Sequence, residues 1–129
     1  MRCAATSFVL LLAALGTADA CEPPPLEKAT RIDGARHVVL FRSAPAVPPL
    51  NAPFALELAV CARDGSAVAA PRVDATMPAH RHGMNYRPSL TSPSAGRFRA
   101  DGMLVHMPGR WQFAFEVAGE RLTATYDVD

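Results

Sequence analysis

The sequence predicts an all-β fold, an immunoglobulin-like antiparallel β-sandwich of about seven strands. Three observations carry that expectation. Apolar and polar residues alternate with a period of two along run after run, prolines and glycines fall between those runs, and no stretch shows a 3.6-residue period. The clearest run is Trp111-Gln112-Phe113-Ala114-Phe115-Glu116-Val117, which gathers its aromatic members on one face.

The first twenty residues of the 129 read as an export signal rather than as structure. Met1-Arg2 supplies a positive start, Phe8–Leu15 an apolar run too short to span a bilayer, and Ala18-Asp19-Ala20 the small residues that a signal peptidase reads. Cleavage after Ala20 leaves Cys21–Asp129, a length that suits one domain. A cysteine directly after such a signal is also where a lipoprotein takes its lipid, a reading that Asp19 fits poorly. Glu22-Pro23-Pro24-Pro25 then opens a stiff, extended leader over residues 21–34, and the sandwich is expected over 35–129. Its strands fall at 35–42, 54–62, 68–77, 86–91, 97–105, 110–118 and 121–128. The fifth is interrupted at Asp101-Gly102, and the last two make a hairpin around Ala118-Gly119-Glu120.

Composition removes several function classes. The net charge is +1 with no basic stripe, so there is no electrostatic case for nucleic acid or for an anionic membrane surface. There is no Gly-x-Ser-x-Gly elbow, no phosphate-cradling glycine loop and no His-Glu-x-x-His, and the acidic residues are scattered singly, so no enzyme is expected. Cys3 leaves with the signal, and Cys21 and Cys61 remain. In an oxidising compartment that pair is a disulfide candidate whose closure would add roughly 3–4 kcal/mol. The alternatives are two free thiols, or a lipidated Cys21 with Cys61 packed as a small apolar residue.

Two segments look unlike ordinary sandwich loops: Met77-Pro78-Ala79-His80-Arg81-His82-Gly83-Met84 and Met103-Leu104-Val105-His106-Met107-Pro108-Gly109. Reduced copper prefers thioether sulfur, and imidazole serves either oxidation state of copper. His80, His82 and Met84 stand at i, i+2 and i+4, a spacing that in extended chain points all three to one side. With alternating strand directions, the connection after the third strand and the one after the fifth lie at the same pole, provided that strand 86–91 exists. His80, His82, Met84, His106 and Met107 would then converge as ligands. Met77 shares the face of Val73 and Ala75, and is either a further ligand or a plug of the core. Met103 reads as core, His37 as a surface residue at a strand start, and Met107-Pro108-Gly109 also suits a plain turn. Zinc sites rarely use methionine, and a blue-copper centre needs a thiolate that Cys61, at the opposite pole, does not supply.

From Met77 to Val117 the chain resembles the YtkA-like domain family of exported bacterial proteins. The resemblance rests on Met77-Pro78-x-His80-x-His82-Gly83-Met84, then Gly96-x-Phe98, then His106-Met107-Pro108-Gly109-x-Trp111, about a third of the chain. It implies an immunoglobulin-like sandwich and a role in periplasmic copper handling or in assembly of copper-dependent respiratory enzymes. Fused members carry an attached transmembrane helix or second domain; none is seen here, which argues against a membrane-anchored assembly role. The expected function is therefore a periplasmic copper carrier or chaperone that exchanges its ion with another envelope protein. The second reading is an interaction module that docks on an envelope protein through an adaptable methionine-rich face, without metal.

Overall fold

The computed structural model describes residues 20–129, so the stretch read as an export signal lies outside the described residues except for Ala20. Among the described residues, nine strands form two antiparallel sheets. The first holds β1 (Thr30–Asp33), β2 (His37–Ala44), β3 (Phe54–Ala62), β7 (Arg97–Met103) and β6 (Ser89–Ser94), side by side in that order. The second holds β5 (His82–Gly83), β4 (Arg72–Met77), β8 (Gly109–Val117) and β9 (Glu120–Val128), again in that order. With β2, β3, β4, β6, β7, β8 and β9 as strands A to G, the sheets read A-B-E-D and C-F-G, the immunoglobulin arrangement. β1 and β5 are short additions at one edge of each sheet. No helix among the described residues is long and apolar enough to cross a membrane.

The alternation read from the sequence is what builds the core. On β8, Trp111, Phe113, Phe115 and Val117 point inward and are buried. They meet Val39, Phe41, Leu56 and Leu58 from the facing sheet. Phe41 packs its ring edge-on to Phe113 at 6.0 Å, and Tyr126 stacks on Phe113 at 5.8 Å. β8 and β9 pair without a break from Gly109↔Val128 to Val117↔Glu120. Ala118 and Gly119 close that hairpin with φ of 45° and 79°, the left-handed pair that matches strand twist. The interruption at Asp101-Gly102 is a β-bulge. The pairing skips from Phe54↔Met103 to Ala55↔Asp101, and the extra residue, Gly102, takes φ 87°.

Several boundaries differ from expectation. β4 begins only after Pro71, the fourth core strand runs later than 86–91, and β1 falls inside the stretch read as a leader. That stretch is extended but not detached. Cys21 is disulfide-bonded to Cys61 with Cα atoms 5.3 Å apart, which draws the segment onto β3. Arg97 Nη2 then donates to the Pro25 carbonyl, and Arg42 Nη1 to that of Glu27 at 3.1 Å. The sulfur in this disulfide is the one that a lipid would otherwise occupy.

His37, expected at the surface, is buried instead, 7 % exposed, with Nδ1 2.7 Å from Glu120 Oε2. The first residue of β2 lies under the β8–β9 hairpin, a tertiary contact that no local pattern announces. The Arg36 amide also donates to both Glu120 oxygens at 3.1 Å. Burial alone would raise the Glu120 pKa, but the bonds from His37, Arg36 and Ala35 outweigh it and hold the carboxyl below its usual range.

Candidate metal centre

The two His/Met segments meet at one pole of the sandwich. β4 ends at Met77, a single 3-10 turn follows over Pro78–His80, and β5 returns at once, pairing His82 with Met77 and Gly83 with Thr76. Arg81 takes φ 53° and its N–H donates to the Pro78 carbonyl at 3.4 Å, which closes the turn. Gly83 allows the close return: a Cβ there would stand 3.1 Å from the Ala75 carbonyl oxygen. The second segment leaves β7 at Met103. It bridges Leu50 through Val105, turns at Pro108, and enters β8 at Gly109. The strand at 86–91 on which the polar argument depended exists in shifted form as β6, so both connections do lie at the same end.

The extended-chain premise for His80, His82 and Met84 is corrected by the turn. Because Pro78 starts a 3-10 turn, His80 sits on that turn, exposed, while His82 alone is in a strand. The rings gather all the same. His80 and His82 have centroids 5.9 Å apart, and His82 and His106 lie 5.2 Å apart across the two segments. Two imidazoles sharing one ion, each nitrogen about 2.0 Å from it, would bring their ring centres roughly 5 Å apart. Trp111 forms the floor, edge-on at 6.0 Å to His82 and 5.5 Å to His106, and its Nε1–H donates to the Met107 carbonyl at 2.9 Å. In the sequence Trp111 reads only as a strand residue and as part of the YtkA-like resemblance. Its inward parity two positions after Gly109 is the signal that would have put it in the site.

The methionines divide by depth. Met103 is core, as expected, and Met77 is also buried within the core, with its Cε 3.0 Å from where a Cβ on Gly109 would stand. Met77 thus supports the second segment from beneath. Met84 and Met107 are half-buried at the pole, and Met84 Sδ accepts the Leu104 N–H at 3.3 Å, tying one segment to the other.

One buried side-chain atom at this pole has no hydrogen-bond partner among the described residues: His82 Nδ1. No three His, Cys, Asp or Glu side chains among the described residues stand together as a group that would hold a metal ion, so a shell here needs thioether sulfur or a shift of the His80 turn. The carboxylates that stand nearest in the sequence have partners of their own: Asp74 accepts the Ala75 amide and Asp101 accepts Arg99. Cys61, in its disulfide near the far end of β3, offers no thiolate. Compared with known proteins, the chain matches no protein-family model, no curated protein and no solved structure.

Proposed function

We propose that this chain is an exported copper carrier of the YtkA-like kind, whose cargo ion is held at the His/Met pole. The observation that carries the proposal is His82 Nδ1, a buried ring nitrogen without a partner among the described residues. An unsatisfied buried polar atom costs about 1–3 kcal/mol, a cost tolerated where an incoming ligand is to meet it. His106, 5.2 Å away, is the second imidazole. Met84 and Met107 are the thioethers within the same pole, and His80 stands on an exposed turn at its rim. Mixed imidazole and thioether donors suit copper over zinc. Met77 is assigned to packing under the site. An exposed rim ligand lets the donors of a partner envelope protein approach before these depart, which suits exchange. The Cys21–Cys61 disulfide supports an oxidising compartment.

The test is a titration of the purified chain with copper, first under reducing and then under oxidising conditions, against a competing chelator. Saturable one-to-one binding is expected, lost in the His82→Ala/His106→Ala double variant. Binding no tighter than that of an unrelated histidine-bearing protein, or unchanged in the double variant, would sink the reading and leave the loops as architecture.

A further inference from the structure

We infer that the outer edge of β9 is a self-association surface, where a second copy of this chain pairs β9 to β9, antiparallel, about a two-fold axis at Ala124. The two sheets have four edges, and three of them are protected. β1 is four residues long, β5 is two, and β6 carries Pro93 together with a break in register. β9 runs nine residues, Glu120-Arg121-Leu122-Thr123-Ala124-Thr125-Tyr126-Asp127-Val128, with no proline, glycine, lysine or bulge. It is the long, regular kind of edge that folded proteins normally blunt.

The two-residue hairpin decides which main-chain groups face outward. Val117 and Glu120 close it as a hydrogen-bonded pair, so the even-numbered residues of β9 bond to β8. Arg121, Thr123, Thr125 and Asp127 then turn their N–H and C=O groups to the open side, where no bond to them is made among the described residues. With the axis at Ala124, Thr123 faces the partner's Thr125 and Arg121 faces the partner's Asp127. Every such pair joins two outward-facing residues and exchanges both main-chain bonds. A shift by one residue would set these groups against residues already bonded to β8. A shift by two keeps the main-chain pairing but separates the opposite charges. Charge and hydrogen-bond parity thus select the same register.

There is room along this edge. A groove of ≈ 450 Å³ separates Ala124, Thr125 and Tyr126 from Arg42–Ala46 of the facing sheet. Val47, one of two large apolar residues that stand exposed among the described residues, follows directly on its lip. The pairing would join two four-stranded sheets into one of eight and send the two His/Met poles in opposite directions. The dimer therefore does not depend on metal binding.

The experiment is sedimentation of the purified chain over a concentration series, with amide exchange followed by NMR. A monomer–dimer equilibrium is expected, in which the amides of Arg121, Thr123, Thr125 and Asp127 become protected as concentration rises while those of β1 do not. Arg121→Glu sets carboxylates together at both symmetric positions and weakens the dimer roughly tenfold. Asp127→Arg does the same with two arginines. An equal mixture of the two variants restores opposite charges and recovers a heterodimer. Circular dichroism checks that each variant is folded, and the wild-type exchange measurement stands whether or not it is. A chain that stays monomeric throughout would overturn the inference. So would a dimer that forms without protecting those four amides, or one indifferent to both substitutions.

Discussion

Trp111→Phe separates the role of the indole N–H from that of the ring. Trp111 is fully buried and its Nε1–H fastens the Met107 carbonyl at 2.9 Å. Phenylalanine keeps an inward aromatic ring on β8 but removes that bond, worth about 1 kcal/mol. It also leaves a small void under the two histidines, costing about another 1 kcal/mol. In a domain of this size, a loss of about 2 kcal/mol lowers Tm by roughly 8 °C. Thermal unfolding of the metal-free protein by circular dichroism reads the fold, and a copper titration reads the site. Both are expected to fall, because the segment carrying His106 and Met107 loses its fastening. A Tm within roughly 2 °C of wild type would refute the idea that this bond holds the loop. A lowered Tm with unchanged copper affinity would refute its link to the donors.

Two further predictions concern the opposite pole. Glu120 has its pKa lowered from the usual 4.5, so its contribution to stability is present above that value and is lost as pH falls through the lower folded value. Denaturant midpoints of wild type should therefore decline more steeply on the acid side of about 4.5 than those of Glu120→Gln, and parallel profiles would contradict the assignment. Removing the disulfide, through Cys21→Ser/Cys61→Ser, releases a loop with a sequence separation of 40. It should cost about 4 kcal/mol in urea unfolding, and an unshifted midpoint would show that the leader adds nothing to the fold.

The core strands were legible because a period of two needs no tertiary information: Trp111 to Val117 declares its inner face in its own spelling. Parity also carried the two His/Met segments to one pole, since strand direction follows from counting. What stayed hidden depended on contacts across the sandwich or on one local turn. His37 looks like an isolated polar strand start until Glu120, 83 positions away, is folded over it. The 3-10 turn at Pro78–His80 broke the extended spacing that had aligned His80, His82 and Met84. Met77 had an inward parity that suited either role, and the close approach of its terminal methyl to Gly109 is a contact between segments that no local pattern announces. β5, two residues long, carries no period at all.

The disulfide fixes more than a loop length. Cys61 lies near the C-terminal end of β3, while Phe54 at the other end pairs with Met103 beside the second His/Met segment. Seven steps along the strand separate them, roughly 24 Å at about 3.4 Å per residue. The chain therefore enters the domain at the pole away from His80, His82 and His106 and is riveted there. Anything that grips this protein by its N-terminal side holds it like a torch by the handle, with the His/Met pole at the lit end.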